Sequence, residues 1–346
     1  MEKTGDWLEF KGKPDGKNVV LVSGDEEYRS EEALPQLARI LSTHHGMNCK
    51  VLFAQDPEKP GVVDPNYLEN IPGLENLETA DLMIIFTRFR ALPDTQMQYI
   101  DSYLKSGKPV IGIRTATHAF NFKDSTNQWV HYGNFYEGEK ADWKDGFGRL
   151  VLGEHWISHH GHHKHQSTRG MIAEGAAAHP ITSGIEDGDI WGPTDVYGVR
   201  LPLPGDSQPI ILGQVINRKG EFKEDDPFFG MSPEDEEIAT ENPVREASGN
   251  PNDPMMPIAW VKSYQLPGGN SGKVFASTIG SSTDFQNEGT RRLYVNATHW
   301  CLGLPVPEKA KVDIVGKFET THYAFHKDDY WDNKNLTLEG IMALGE

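Results

Sequence analysis

Short apolar runs alternate with amphipathic segments through the first 120 residues of this 346-residue sequence. Uninterrupted apolar runs are typical of strands buried on both faces of a parallel sheet, and an apolar stripe at helical spacing is typical of the connecting helix. Strands are predicted at 18–24, 49–54, 81–87 and 109–115, and helices at 31–46 and about 93–105. This order predicts an α/β fold on an open, mostly parallel sheet with right-handed crossovers.

The pattern is less regular after residue 120. Further strands are predicted at 149–153, 209–216, 257–264 and 273–280, and a last helix at 284–304. Residues 218–256 are acidic and rich in Pro and Gly, which indicates a long surface insertion. With 1–17 as a polar lead-in and 305–346 as an irregular C-terminal tail, we expect one α/β domain over 18–304 with long loop insertions.

The charge balance limits the possible partners. With 33 basic and 51 acidic residues, the formal net charge is −18, and such a surface repels nucleic acid and anionic membranes. The two cysteines, Cys49 and Cys301, exclude a disulfide framework and a Cys-based zinc site. Apolar runs fall short of the roughly 18 residues of a membrane span, and the N-terminal segment lacks a signal-peptide core.

Polar residues follow four of the predicted strands, at 23–30, 87–90, 114–120 and 280–285. Open parallel sheets bind their ligands at the carboxyl ends of the strands. We therefore expect the substrate-binding side chains at these positions. The candidates are Glu26, Arg88, Arg114, Thr115 and His118.

The turn after the fourth strand, 112-GIRTA-116, has the shape of a nucleophile elbow, with Arg114 at the nucleophile position. Neither Arg114 nor Thr115 is a nucleophile without a dedicated base, and both cysteines lie elsewhere. The sequence therefore excludes the Cys–His mechanism of an amidotransferase. Arg114 could instead hold a carboxylate or a polarised oxygen.

Six of the chain's 14 histidines lie within residues 155–165. His159 and His163 have the i, i+4 spacing of two ligands on one helix face, although Gly161 between them favours a loop. Three interpretations stay open: a loop of solvated histidines, a substrate-facing loop with histidine acid–base chemistry, and a divalent-metal site, zinc in the first place. Asp195 could orient a histidine or stabilise its own turn.

Other polar candidates also have two interpretations. The stretch GDEEYRSEE precedes a predicted helix, so Glu26 or Glu27 either stabilises the helix N-terminus or faces the ligand. Arg88 and Arg90 alternate along an extended strand end, so one should face the cleft and the other should pair with a surface acid. His118 fits a helix cap or a neutral imidazole in the cleft.

Several stretches resemble the ThuA-like (trehalose utilisation) family, above all VSGDEEYRSEEALPQLARIL, GKPVIGIRTATHAF and SHHGHHKHQSTRG, and the resemblance covers roughly residues 18–316. It implies the fold of class I glutamine amidotransferases, a flavodoxin-like three-layer sandwich, with the catalytic cysteine lost. His159, His163 and the acidic-x-Tyr element at 195–197 match family motifs. Gly280-Ser281 replaces the Gly-His of many members, so no role of that histidine transfers.

The resemblance further implies a carbohydrate context in exported loci of environmental bacteria, which slightly favours an exported or periplasmic domain over a cytoplasmic one. We predict an enzyme that binds a sugar or oxidised sugar and performs a lyase, isomerase or hydrolase step by histidine acid–base chemistry, with or without metal. His159, His163 and Asp195 are the predicted catalytic residues, and the two histidines the predicted metal ligands. The alternative is a non-catalytic module that captures a carbohydrate or a partner. A homo-oligomer is compatible with both the enzyme and the binding module.

Overall fold

The computed structural model describes residues 2–4, 6–244 and 249–345, the first three by their backbone alone. In this part of the chain eleven strands form one sheet in the order β1-β2-β4-β3-β5-β6-β11-β10-β9-β7-β8. The strands are β1 Glu2–Thr4, β2 Trp7–Phe10, β3 Asn18–Gly24, β4 Asn48–Phe53, β5 Leu82–Thr87, β6 Val110–Ile113, β7 Gln166–Ile172, β8 Trp191–Gly192, β9 Gln208–Asn217, β10 Met256–Gln265 and β11 Ser271–Ser277. The helices are α1 Ser30–His45, α2 Asp94–Lys105, α3 Glu288–Cys301, α4 Asp328–Lys334 and α5 Leu338–Ala343.

The centre of the sheet is parallel and both flanks are antiparallel. Strands β4, β3, β5, β6 and β11 pair in parallel in that order. The six other pairings between neighbours in the described chain are antiparallel. The prediction of a mostly parallel sheet is therefore wrong. The first reason lies before β3, where β1 and β2 add an antiparallel edge to β4. The second lies after β6, where turns and loops replace crossover helices, as between β10 and β11, which only residues 266–270 join.

The sheet separates two apolar cores, so the fold has three layers. Along β3, Val19 and Leu21 belong to the core that α1 and α3 cover, while Val20 and Val22 belong to the core that α2 covers. α1 ends at Gly46, whose φ of 71° lies in the left-handed region that glycine adopts without cost. None of the described helices is long and apolar enough to cross a lipid bilayer.

One predicted strand, 149–153, is wrong. Gly148–Leu152 forms a helical turn that ends at Gly153, with a φ of 100°. The Leu152 carbonyl accepts a hydrogen bond from Trp260 Nε1 at 2.6 Å, and the Leu152 side chain covers Gly112 of β6. The apolar residues of this segment therefore cover the face of the sheet and do not join its edge.

Both ends of the chain contribute to the packed domain. In the lead-in, β2 pairs with β4 and buries Leu8. In the tail, α4 and α5 bury Trp331 and Ile341, so the prediction of an irregular tail is wrong for these helices. The predicted insertion at 218–256 consists mostly of turns and irregular segments, and its residues 245–248 lie outside the described part of the chain.

Candidate active site

The loop that precedes β7 carries both candidate histidines. Its backbone is fixed to a neighbouring segment, because the N–H groups of His160 and Gly161 both donate to the carbonyl of Val196, at 2.8 and 3.0 Å. Gly161 permits this close approach, since a Cβ there would lie 3.3 Å from the Cβ of Asp195. The i, i+4 pair is therefore brought together by a loop and not by a helix face.

His159 and His163 share one carboxylate. His159 Nδ1 lies 2.8 Å from Asp195 Oδ2, and His163 Nδ1 lies 3.0 Å from Asp195 Oδ1. The centroids of the two imidazole rings are 4.5 Å apart. The Asp195 side chain is fully buried, whereas those of the two histidines are 29% and 26% exposed. Because a carboxylate only accepts, each Nδ1 carries a proton, and a neutral ring keeps its lone pair on Nε2.

The charges around this trio are uneven. Burial alone would raise the pKa of Asp195, but the two histidines lower it below its usual range. Burial alone would lower the pKa of His163, but its hydrogen bonds to Asp195 and Glu27 raise it to about 9. Glu27 Oε1 lies 3.5 Å from His163 Nε2. At neutral pH, His163 is therefore an imidazolium between two carboxylates.

Arg114 holds Asp195 from the opposite side. Its Nη1 donates to the Asp195 carbonyl at 2.8 Å, and its Nη2 donates to Asp195 Oδ1 at 3.1 Å. The guanidinium lies between the rings of Tyr28 and Tyr197, with Cζ at 4.4 and 3.9 Å from their centroids. Arg114 is fully buried. It does hold a carboxylate, but the carboxylate is the protein's own, so Arg114 acts on a substrate only through Asp195.

Thr115 also has its partner within the protein. Its hydroxyl donates to Asp25, which is fully buried. Asp25 in turn accepts from the backbone N–H groups of Glu27, at 2.7 Å, and of Tyr28, and so shapes the loop between β3 and α1. Burial and the nearby charge of Glu26 raise the pKa of Asp25 to about 6. Thr115 therefore positions this loop and does not face the cleft.

Glu26 links two arginines at the edge of the cleft. It accepts from Arg88 Nη1 and, at 2.6 Å, from Arg90 Nη2. Arg90 is fully buried and donates to backbone carbonyls as well, so the expected pairing with a surface acid is wrong. Arg88 keeps 21% of its side chain exposed and Glu26 13%. Glu26 and Arg88 are therefore within reach of a ligand, whereas Arg90 is not.

His118 is buried among aromatic side chains. Its ring centroid lies 4.9 Å from that of Phe89 and 5.5 Å from that of Trp156. Burial, with the positive charges of Arg88 and Arg114 nearby, holds its pKa well below the usual value. His118 is a neutral imidazole, one of the two roles that its position suggested.

The C-terminal tail brings two further residues to the site that the sequence did not single out. The Tyr323 ring is fully buried and lies 5.2 Å from the ring of His163, whereas Phe325 is 57% exposed. Between them, the N–H of Ala324 donates to the Glu27 carbonyl at 3.0 Å. The segment 323–325 forms no regular helix or strand, so its sequence has no periodic pattern that could have indicated these two residues.

The other four histidines of the tract lie outside the trio. His155 and His160 bond through a ring nitrogen to backbone carbonyls at 2.9 and 2.8 Å. His162 and His165 stack on each other with centroids 4.2 Å apart. The tract therefore divides into a pair that meets Asp195 and four residues packed along the loop.

His159, His163 and Asp195 also meet a minimum condition for a metal site, since each offers a ligand atom within 4.8 Å of the others. The fit is partial. Both Asp195 oxygens already accept from the Nδ1 atoms, and Arg114 Nη2, 3.1 Å from Oδ1, repels a cation. A cation held by the two Nε2 atoms, with Asp195 as the outer partner, would keep these hydrogen bonds.

The sequence and the fold also relate this chain to known proteins. A ThuA-like protein of known structure from Parabacteroides merdae ATCC 43184 is similar over 90% of this chain and 98% of its own, with 14% identity and a TM-score of 0.47. A ThuA-like protein from Bacteroides uniformis ATCC 8492 is similar over 83% and 92%, with 13% identity and a TM-score of 0.43. No curated protein matches the sequence. The profile of the ThuA family, described as trehalose utilisation, matches residues 18–301, and the chain therefore belongs to the ThuA family.

Proposed function

We propose that this protein is an enzyme that moves protons on a sugar or an oxidised sugar, with His163 as the proton donor and His159 as the proton acceptor. One observation supports this role above the others: two partly exposed imidazoles donate Nδ1–H to one buried carboxylate. His159 Nε2 is thereby left for chemistry, and His163 Nε2 faces Glu27 Oε1 at 3.5 Å. The family's description, trehalose utilisation, supports a carbohydrate as the substrate.

The trio can exchange protons without changing its total charge. When His163 gives its Nε2 proton to a carbonyl or glycosidic oxygen, it becomes neutral. When His159 takes a proton from a sugar carbon or hydroxyl, it becomes an imidazolium. Asp195 contacts both rings and therefore stabilises the positive charge on either one. A lyase, isomerase or hydrolase step needs such paired transfers, so we place these three reaction types first.

Supporting residues fix the geometry of the pair. Arg114 orients Asp195 through two hydrogen bonds, and Asp195 fixes the tautomer of both histidines. Glu27 lies beside His163 Nε2 and keeps that ring protonated at neutral pH. Glu26 and Arg88 stand at the cleft edge, where they can bind sugar hydroxyls. The proposal includes a relationship to the class I glutamine amidotransferases, but it excludes their cysteine-based mechanism.

Loss of turnover in histidine variants tests the proposal. We would incubate trehalose and its keto derivative with wild type, His159→Gln, His163→Gln and the double variant, and follow sugar signals by proton NMR in D2O. A matched control is His165→Gln, in the same loop but stacked on His162. Since general acid–base catalysis contributes about 10²–10⁴-fold, we expect each single variant to lose at least about 100-fold and the control less than twofold.

Two other outcomes would change the assignment. Full turnover by the double variant would refute histidine chemistry. Sugar binding by the wild type without any turnover would favour the non-catalytic module. Metal assistance has its own test: a bound zinc would appear in elemental analysis of untagged protein, and its removal by chelation would abolish turnover. Turnover unchanged by chelation would leave acid–base chemistry without metal.

A further inference from the structure

Exposed aromatic rings lie at the cleft edge beside Arg88. Phe135 is 60% exposed and Phe325 57%, which is unusual for side chains of this size. Arg88 Cζ lies 4.6 Å from the ring centroid of Phe89 and 4.8 Å from that of Phe325, and Phe89 lies 5.8 Å from Phe135. We call Phe89, Phe135, Phe325 and Arg88 the aromatic rim. It is one continuous surface of rings with a planar guanidinium between two of them.

The rim continues into the histidine pair through a chain of ring contacts. Phe89 lies 4.9 Å from His118, His118 lies 5.5 Å from Trp156, and Trp156 lies 6.0 Å from His159, measured between ring centroids. A shorter link is polar: Arg88 Nε lies 4.0 Å from Glu27 Oε2, and Glu27 Oε1 lies 3.5 Å from His163 Nε2. One side chain, Glu27, therefore joins the rim to the histidine pair. Contiguous exposed apolar surface next to polar groups commonly marks a binding site.

A cavity of about 620 Å³ adjoins the rim and shares Glu26, Arg88 and Phe89 with it. Its other polar lining includes Asn121 and Asn127. Amide and carboxylate groups of this kind donate to and accept from hydroxyls. The rim and cavity together offer apolar faces and hydroxyl-binding groups side by side.

Carboxylates already contact each arginine around the pair, and Arg88 Nε also lies 4.0 Å from Glu27 Oε2. Arg88 and Arg90 share Glu26, and Arg114 is fully buried with Asp195. Arg90 and Arg114 are buried away from any ligand, and Arg88, the one partly exposed guanidinium of the three, already donates to Glu26 through Nη1. Lys123 at the cavity is accompanied by Glu69 and Asp124, and the chain as a whole has a net charge of −18. The electrostatic environment therefore disfavours an anionic ligand.

We propose that the aromatic rim binds a neutral sugar ring, so that the substrates are uncharged glycosides and not uronates or sugar phosphates. This proposal rests on the proposed carbohydrate function and specifies its substrate class. The C–H faces of a pyranose lie against Phe135 and Phe325, because aromatic faces carry partial negative charge and sugar C–H groups partial positive charge. Hydroxyls at the ring edge meet Glu26 and the amides of the cavity.

The tail holds Phe325 in place. Thr321 donates its N–H and its hydroxyl to the carboxylate of Glu32, at 3.0 and 2.7 Å, and Ala324 N–H donates to the Glu27 carbonyl at 3.0 Å. The segment 321–325 is thus attached to the loop and helix that follow β3. It presents Phe325 outward, and the tail completes the sugar site.

Binding measurements with full-length protein test this inference. We would titrate wild type, Phe325→Ala and Phe135→Ala with trehalose, methyl α-glucoside, glucuronate and glucose 6-phosphate, by calorimetry and by the fluorescence of the tryptophans, among them Trp156 near the rim. Phe222→Ala is the matched control, because Phe222 is 42% exposed but stacks on His165. Exposure makes all three variants compatible with folding, and circular dichroism verifies it.

We expect the neutral sugars to bind at least tenfold more tightly than the two anions. Each rim variant should weaken neutral-sugar binding about fivefold to tenfold, and the control less than twofold. Tighter binding of an anion, or equal effects of Phe325→Ala and Phe222→Ala, would overturn the rim while leaving histidine-dependent turnover intact. If none of the four sugars binds to the wild type, the rim is not a sugar-binding site. Failure of the proposed function would be seen separately, as absent turnover in the assay of the histidine variants.

Discussion

Replacing Asp195 by asparagine exchanges one carboxylate oxygen for an amide nitrogen at nearly constant volume. The side-chain partners described for this carboxylate are all donors: His159 Nδ1, His163 Nδ1 and Arg114 Nη2. An asparagine offers only one acceptor oxygen, so its NH2 group would face an N–H group. The buried guanidinium of Arg114 would also lose its carboxylate.

The structure sets the scale of the expected effect. Breaking a buried ion pair by removing one partner costs about 3–5 kcal/mol, because the remaining charge stays buried without compensation. Because the two histidines are partly exposed, the loss should lie at the lower end of this range. We expect the Asp195→Asn variant to lose about 3 kcal/mol of unfolding free energy at pH 7. Urea denaturation followed by tryptophan fluorescence measures this loss.

A second readout distinguishes lost charge from general damage. The pKa of His163, about 9 in the wild type, should fall markedly in the variant, which NMR titration of the ring resonances measures. The control is Asp206→Asn, an exposed carboxylate that bonds to Ser263, with an expected loss below about 0.5 kcal/mol. If Asp195→Asn loses less than 1 kcal/mol, or if His163 still titrates near pH 9, the shared-carboxylate account is wrong.

Three further predictions concern the supporting residues. The folded-state pKa of His163 lies above its ordinary 6.5, so protonated His163 stabilises the fold fully below pH 6.5, and this stabilisation is lost as pH rises through about 9. The unfolding free energy of wild type should therefore fall by about 3 kcal/mol over this range. Urea titrations of His163→Gln should lack that fall. Arg114→Lys should lose about 2–4 kcal/mol, because an ammonium cannot make the guanidinium's hydrogen bonds while stacked between Tyr28 and Tyr197. An equal loss for Arg149→Lys, at a side chain that is 28% exposed, would refute this reason. Tyr323→Phe removes only the hydroxyl that donates to the Pro193 carbonyl and should lower the unfolding free energy by about 1 kcal/mol. Tyr323→Ala also removes the ring beside His163 and should lower it by about 3–5 kcal/mol. Equal thermal unfolding of the two variants would contradict the packing role of the ring.

The central strands could be predicted because their signal is local. The run NVVLVSG is apolar on both faces, and β3 matches it from Asn18 to Gly24. The antiparallel flank could not be predicted in this way, since its pairings depend on which loops meet. β7, QSTRGMI, has a mixed polar and apolar pattern, and its neighbours β8 and β9 come later in the chain. Short elements of this kind depend on tertiary pairing more than on their own sequence.

The candidate site was predictable to a similar extent. The placement of polar residues at the strand ends follows from the parallel centre of the sheet. Motif resemblance indicated His159, His163 and Asp195, and the structure brings them together. The motif resemblance did not show that Arg114 holds Asp195, because the carboxylate that Arg114 binds depends on how the end of β6 meets the 195–197 segment. The contribution of Tyr323 and Phe325 was also inaccessible, since the tail reaches the site only in the folded chain.

The pH dependence of turnover tests the paired-histidine mechanism most directly. On a sugar that the enzyme turns over, kcat/KM should stay high through neutral pH and fall as pH rises through about 9, with the loss of one proton from His163. Glu27→Gln removes the carboxylate beside Nε2 and should move this decline to lower pH. A kcat/KM that stays constant to well above pH 9 in folded protein, or a decline that Glu27→Gln leaves in place, would contradict His163 as the acid.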